Sequence, residues 1–383
     1  MVYLDNAATT FPKPAAVTEG VLRAMRLFGA NPGRSGHRLS LAAAREVYRC
    51  RELAAESFGL AQPENAVFTK NCTEALNIVI QSLLAEGGEC VVSDLEHNAV
   101  YRPVWELARG GRAAYRVAQV VPGEPERTLE NFGAAVGAET RLVVCTGASN
   151  VFGVKLPVAC IAAMCRERGV PFLLDAAQTA GAEVIDMERD GVDFVAAPGH
   201  KGLMGPMGTG LLLARRPELL RPLLYGGTGS ASLEPEQPRA LPDMLEAGTL
   251  DLPGIAGLAQ GLAWVRARGE KNIEARELSL SASLWDALSR VEGVRLLSPR
   301  PERGIAAPMV TLLVSGMTGE AAAAGLDALG VAARGGYHCA ALAHRKYGTL
   351  GTGACRLSFG PLNTPEDAEK AAWAVKKLAA GQY

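Results

Sequence analysis

No stretch of this 383-residue chain approaches the roughly 20 consecutive apolar residues that a membrane-spanning helix needs. No basic residue precedes Lys13, and Asp5 arrives early in Met1-Val-Tyr-Leu-Asp5, so no secretory leader is expected and a cytoplasmic location follows. An excess of one charge is also missing. Lys and Arg total 39 against 40 Asp and Glu, which leaves no electrostatic footprint for nucleic acid or a membrane surface. The eight cysteines contain no C-x-x-C pair, which disfavours a zinc ribbon, and no metal site is expected. Cys160 and Cys165 would not share a helix face, and most of the cysteines read as small buried hydrophobes in a reducing compartment. There are no repeats or low-complexity tracts.

What is present is an alternation of short apolar runs with helical patterns. The segments 66–70, 89–93, 114–120, 141–145, 171–174, 194–197 and 210–214 read as seven buried strands. Helical periodicity lies between most of them, over 73–84, 98–108 and 157–168. The pattern predicts an α/β fold with a mainly parallel seven-stranded sheet, covered on both faces, in a large domain over 15–253. Binding residues should then gather in loops at the carboxyl ends of the strands. A long helical stretch over 255–291 reads as a bridge to a small C-terminal α/β domain over 254–383, with residues 1–14 packing against it. The Gly-, Pro- and Ser-containing piece 225–242 reads as a loop.

Two strand ends carry the most telling residues. Asp175-Ala-Ala-Gln178 follows one apolar run, and Gly199-His200-Lys201 follows the next. An acid and a lysine so placed suit the two ends of one planar cofactor, pyridoxal 5'-phosphate. The lysine forms an imine with its aldehyde, and the carboxylate keeps the pyridine nitrogen protonated so that the ring accepts electrons. An ordinary lysine, with a pKa of about 10.4, is a poor nucleophile at neutral pH, so the site must depress it.

Other segments fit around that pair. Asn71-Cys-Thr-Glu74 opens a helix after a strand, where free backbone N–H groups and the hydroxyl of Thr73 suit a phosphate. His97 at a strand end would stack on an aromatic ring or simply begin a helix. Asn150 is a turn asparagine or a ligand to a cofactor hydroxyl or substrate carboxylate. Arg334-Gly-Gly-Tyr-His338-Cys339 reads as a loop entering a site, where Arg334 and His338 would favour the thiolate of Cys339. Arg356, on the last strand, is either a bidentate carboxylate clamp or half of a structural ion pair.

Together these residues resemble the cysteine desulfurases of the class V aminotransferase-like family, which have the aspartate aminotransferase-type fold of PLP-dependent transferases. The resemblance runs from Tyr3-Leu-Asp-Asn-Ala-Ala-Thr-Thr10 to Arg356-Leu-Ser-Phe-Gly-Pro-Leu-Asn-Thr364. The short Arg334–Cys339 segment looks like the group II enzymes. The resemblance implies that Lys201 bonds the cofactor and acts as base, that Asp175 meets the ring nitrogen and Gln178 the ring oxygen, and that His97 stacks on the ring. It also implies that Thr73 and His200 bind phosphate, and that Thr249 reaches the cofactor of a second subunit in a homodimer. Asn150 and Arg356, with Arg334 nearby, would hold the substrate carboxylate, and Cys339 would attack the sulfur of L-cysteine. A sulfur-acceptor protein or thiol would then take the persulfide. L-selenocysteine cleavage, or an aminotransferase or lyase reaction that does not use Cys339, would employ nearly the same residues. One position departs from the family pattern: Pro198 stands where a hydroxyl residue usually donates to phosphate, and Thr228 or Ser230 is a candidate replacement.

Overall fold

The computed structural model describes residues 1–33 and 36–382. The seven expected strands form one sheet, in the order Ala66–Thr69, Gly210–Ala214, Phe194–Pro198, Phe172–Asp175, Thr140–Thr146, Glu89–Ser93, Ala114–Ala118. Only Gly210–Ala214 runs against the others. The strands Glu89–Ser93, Phe172–Asp175 and Phe194–Pro198 are buried along their whole length, which is why they read as unbroken apolar runs rather than alternating ones. Phe172, Leu174 and Val195 point into one apolar layer, with Val47, Ile161 and Leu258 from the covering helices. Leu173, Phe194 and Ala196 point into the other, with Leu76, Val79 and Val104. Each such Leu or Phe contributes roughly 1.5–3 kcal/mol on burial, so the sandwich holds the sheet's carboxyl edge in one arrangement.

A second sheet is antiparallel throughout, in the order Arg334–Gly336, Ala354–Ser358, Met309–Val314, Val294–Leu296. Leu284, Leu326 and Val375 from three helices back it. The start of the chain joins this region. Val2–Tyr3 pairs with Val331–Ala332, and Asp5 bridges Ser358. The first residues therefore lie beside the last strand, next to the carboxyl edge of the large sheet.

Two expectations are corrected. The helical stretch over 255–291 is two helices, Leu252–Arg268 and Glu270–Leu288, because Gly269 between them takes a left-handed φ of 78°. The Arg334 segment begins as a strand rather than a loop, with Arg334 opposite Arg356. Its glycines hide that strand in the sequence. A Cβ on Gly335 would lie 2.3 Å from the Gly319 carbonyl oxygen, so the strand packs against a helix start only without a side chain there.

Candidate active site

Asp175 ends its strand almost fully buried, 2% exposed. Its Oδ1 accepts the Ala177 N–H at 3.0 Å and the Cys72 thiol at 3.5 Å, and no protein group among the described residues bonds Oδ2. Lys201 lies three residues past Pro198, the end of the parallel neighbouring strand, and its ammonium makes no hydrogen bond or ion pair among the described residues. Burial pushes its pKa down, and Arg356 and Arg334 push the same way against the pull of Asp175. The sequence required a depressed lysine, and burial is the larger cause. Gln178 donates from Nε2 to the Ala7 carbonyl at 3.1 Å, tying this turn to the N-terminal segment. Asn6, Gln178, Lys201, Glu277 and Ser358 line one narrow cleft.

His97 is half-buried and caps the helix Asn98–Arg109, its Nδ1 accepting the Ala99 N–H at 3.0 Å. The cap fixes Nδ1 as the acceptor, so the neutral ring carries its proton on Nε2. Burial lowers its pKa, which keeps it neutral. The next peptide reaches across the site: the Asn98 N–H donates to the Cys339 carbonyl at 2.7 Å. On the other side, Asn150 Nδ2 donates to the His338 carbonyl, also at 2.7 Å. Two carbonyls around the cysteine are thus held from two different parts of the large sheet. Cys339 is exposed, whereas six of the eight cysteines are buried.

The His338 ring is buried, with Nε2 3.1 Å from the Arg334 carbonyl, and its pKa falls to about 3 through burial and the nearby Arg356. A neutral His338 supplies no positive charge to Cys339. Of the two groups expected to favour the thiolate, that leaves only the Arg334 guanidinium with a positive charge.

Arg356 is 1% exposed and already engaged. One terminal nitrogen meets Asp5 Oδ1 at 2.6 Å, and the other donates to the Asn150 carbonyl at 2.6 Å, leaving Nε unpartnered. The structural ion pair and the clamp were posed as alternatives; the ion pair is present, and Nε–H is the donor left over. Arg334, its neighbour across the strands, is half-buried and has no ion pair among the described residues. Asn150 Oδ1 is buried without a partner. An orphan oxygen is satisfied only by a donor, so Asn150 in this orientation suits a hydroxyl or N–H and not a carboxylate.

At the helix start expected to hold phosphate, Asn71 caps the helix Cys72–Leu83 by accepting the Glu74 N–H at 3.0 Å, and Thr73 is exposed in its first turn. His200 is half-buried and its Nδ1 is an unpartnered polar atom shielded from solvent. Pro198 ends its strand opposite Gly210. Thr228 is half-buried and Ser230 exposed, they lie within hydrogen-bond distance of each other, and Ser230 also bonds Asp243. They are committed to their own loop within this chain. Thr249 is exposed. The donor set fits a pyridine phosphate: a buried carboxylate with a spare oxygen, an unbonded amine, an orphan imidazole nitrogen and an open helix N-terminus.

The whole chain was then compared with known proteins. Residues 2–370 match the profile of the family described as Aminotransferase class-V. The chain belongs to that family. A protein of Xylella fastidiosa named probable cysteine desulfurase is 33% identical, over 99% of this chain and 91% of its own length. One of Vibrio cholerae with the same name is 30% identical, over 98% and 93%. Among solved structures, the apo cysteine desulfurase of Thermococcus onnurineus superposes with a TM-score of 0.92 at 31% identity, covering 99% of this chain and 95% of that one. A cysteine desulfurase of Escherichia coli gives 0.87 at 27% identity, covering 98% and 94%. The aspartate aminotransferase-type fold expected from the sequence is the fold observed.

Sequence reasoning missed two members of the site. Asp5 was taken only as part of an N-terminal motif, although it is the counter-ion of Arg356. Glu96 is fully buried beside His97, with Oε1 accepting the Ser93 hydroxyl and the Thr146 N–H and Oε2 unpartnered. Burial raises its pKa to about 8, so it is protonated at neutral pH. An acid directly after an apolar strand, in Ser93-Asp-Leu-Glu96-His97, was the available signal.

Proposed function

We propose that this protein is a PLP-dependent cysteine desulfurase: L-cysteine and the Cys339 thiol react to give L-alanine and a Cys339 persulfide. The observation that carries the reading is the exposed Cys339, its backbone tied to Asn98 and Asn150 beside Lys201 and Asp175. Pyridoxal 5'-phosphate, when bound, supplies an electron sink for charge that develops on the substrate carbon. Asp175 Oδ2 would hold its ring nitrogen, Lys201 its aldehyde carbon, and Thr73 and His200 its phosphate. His97 would cover one face of the ring.

The chain's own groups do the rest. Lys201, depressed by burial, takes the proton from Cα and returns one later. Arg356 Nε–H and Arg334 face the substrate carboxylate. The Cys339 thiolate bonds to the substrate sulfur as the carbon–sulfur bond breaks. Protons then return to the carbon skeleton, which leaves as alanine. The persulfide passes to an acceptor protein or a small thiol. A homodimer completes the site through Thr249, which is exposed in its own chain and follows a segment with Leu223, Leu224, Tyr225 and Leu233 on the surface.

The deciding experiment is mass spectrometry after incubation with L-cysteine, read alongside alanine release. One added sulfur on Cys339, and no persulfide in Cys339→Ser, is expected. Parent-rate alanine release by Cys339→Ser would instead assign a lyase or transaminase of the same fold. No helix among the described residues is long and apolar enough to cross a membrane.

A further inference from the structure

One peptide carbonyl near the site attracts far more donors than it can saturate. The His200 oxygen lies between the two residues assigned to the cofactor. It accepts the Thr10 N–H at 3.1 Å, the Thr9 hydroxyl at 3.1 Å and the Thr10 hydroxyl at 3.2 Å. Lys13 Nζ donates to the same oxygen at the shorter distance of 2.7 Å. The Thr10 hydroxyl is shared with the Lys201 carbonyl at 3.0 Å and also receives Lys13. A carbonyl has two lone pairs, so four donors crowd it, and the charged one makes the strongest bond. The reading of the site uses none of these contacts.

The Lys13 ammonium is also peculiar in having no carboxylate within ion-pair distance among the described residues. Half-buried, it is destabilised by desolvation, its pKa lowered to about 8, yet it remains a cation at neutral pH. A cation kept in such a place without a counter-ion needs a compensating partner. The partner on the page is the negative end of the His200–Lys201 peptide.

We propose that Lys13 is a positioning residue for His200 and Lys201: its ammonium pins the carbonyl that joins them and places an unneutralised positive charge beside the His200 imidazole. The inference rests on the proposed PLP site for its purpose. Lys201 must exchange bonding partners during turnover while its backbone stays still, and His200 must present a ring nitrogen in one orientation. The charge has a separate consequence. His200 is held down to about 4 by burial first, then by Lys201 and Lys13, the charged groups that act on it. Removing Lys13 removes one of those two cations.

The test uses Lys13→Met, Lys13→Arg and Thr10→Val. In the cofactor-free protein, NMR titration of His200 is expected to show a higher pKa in Lys13→Met, a parental value in Lys13→Arg, and no shift in Thr10→Val, which deletes a neutral hydroxyl and leaves the charge of Lys13. Pyridoxal phosphate, titrated into each protein, is expected to bind at least tenfold more weakly to Lys13→Met, with recovery in Lys13→Arg. If Lys13→Met does not fold, Lys13→Gln takes its place, keeping a donor without the charge. Unchanged His200 titration, an equal shift in Thr10→Val, or unchanged cofactor affinity overturns the proposal. Failure of the parent itself to bind pyridoxal phosphate would sink the proposed function, whereas the His200 titration would still decide the role of Lys13.

Discussion

Lys201 and Cys339, the proposed base and nucleophile, are held by opposite means. Lys201 sits between glycines that sterics demand. A Cβ on Gly199 would lie 2.1 Å from Thr209 Oγ1, and one on Gly202 would lie 2.2 Å from the Ala180 carbonyl oxygen. A side chain crowds the first of these glycines and backbone the second. Cys339 sits in a turn where glycine would be welcome and is not found: His338 and Cys339 take φ values of 50° and 56°. Left-handed geometry costs an L-residue roughly 1–2 kcal/mol. The two hydrogen bonds to the His338 and Cys339 carbonyls offset that cost. Lys201 is therefore fixed by crowding, and Cys339 by a few specific bonds over a strained turn. A cysteine that must hand its sulfur to an acceptor gains from the second arrangement, because few contacts have to yield.

The sharpest way to break the comparison is at the base. Lys201→Ala is expected to reduce alanine formation by at least a thousandfold, within the range of roughly 10²–10⁴ for lost proton transfer plus the loss of the cofactor's anchor. Alanine release at a tenth of the parent rate would show that another group does the work.

The packing claim is tested by a pair of substitutions with opposite signs. Gly202→Ala is expected to lower the melting temperature strongly, by an amount equivalent to about 2 kcal/mol or more, since its methyl would meet backbone that cannot move aside. Cys339→Gly removes activity but is expected to raise stability by about 0.5–1 kcal/mol, the relief of left-handed strain less the extra entropy of glycine in the unfolded chain. Urea denaturation reads both. A destabilised Cys339→Gly would mean that the turn is not strained.

A pH-dependent effect separates the buried acid from the rest of the site. Glu96 has a folded pKa of about 8, above its ordinary 4.5. Its raised value means that the folded state binds the proton more tightly, so its contribution is fully present below about 4.5 and is lost as pH rises through 8. Glu96→Gln imitates the protonated form. Relative to the parent, it is expected to gain stability from pH 4.5 to about 8 and to level off above that. A constant difference across that range would show that Glu96 is already ionised in the folded protein.

The smallest expected effect lies at Pro198. Pro198→Ser restores a hydroxyl at the strand end and is expected to slow the loss of pyridoxal phosphate on dialysis by a few fold, the scale of one neutral hydrogen bond. Equal or tighter retention by the parent would show that no donor is missing there.

Much of this was legible because the responsible forces act locally. Apolar runs ending at Leu174 and Ala197 marked strands, and the residues just beyond them marked the edge where a ligand is expected, since strand direction carries both to one side of a parallel sheet. Gly335 and Gly336 concealed a strand because their role is to let a helix approach, a property of the neighbour rather than of the segment. Gly269 divided a helix that periodicity alone ran together. The sequence by itself determined the layered α/β architecture and the reactive residue types, because burial pattern and side-chain chemistry are written one residue at a time. Only the tertiary structure decided that Asp5 neutralises Arg356, that Asn98 and Asn150 hold the Cys339 turn, and that His338 is neutral. Those facts depend on distances and desolvation between segments hundreds of residues apart, which no local pattern encodes.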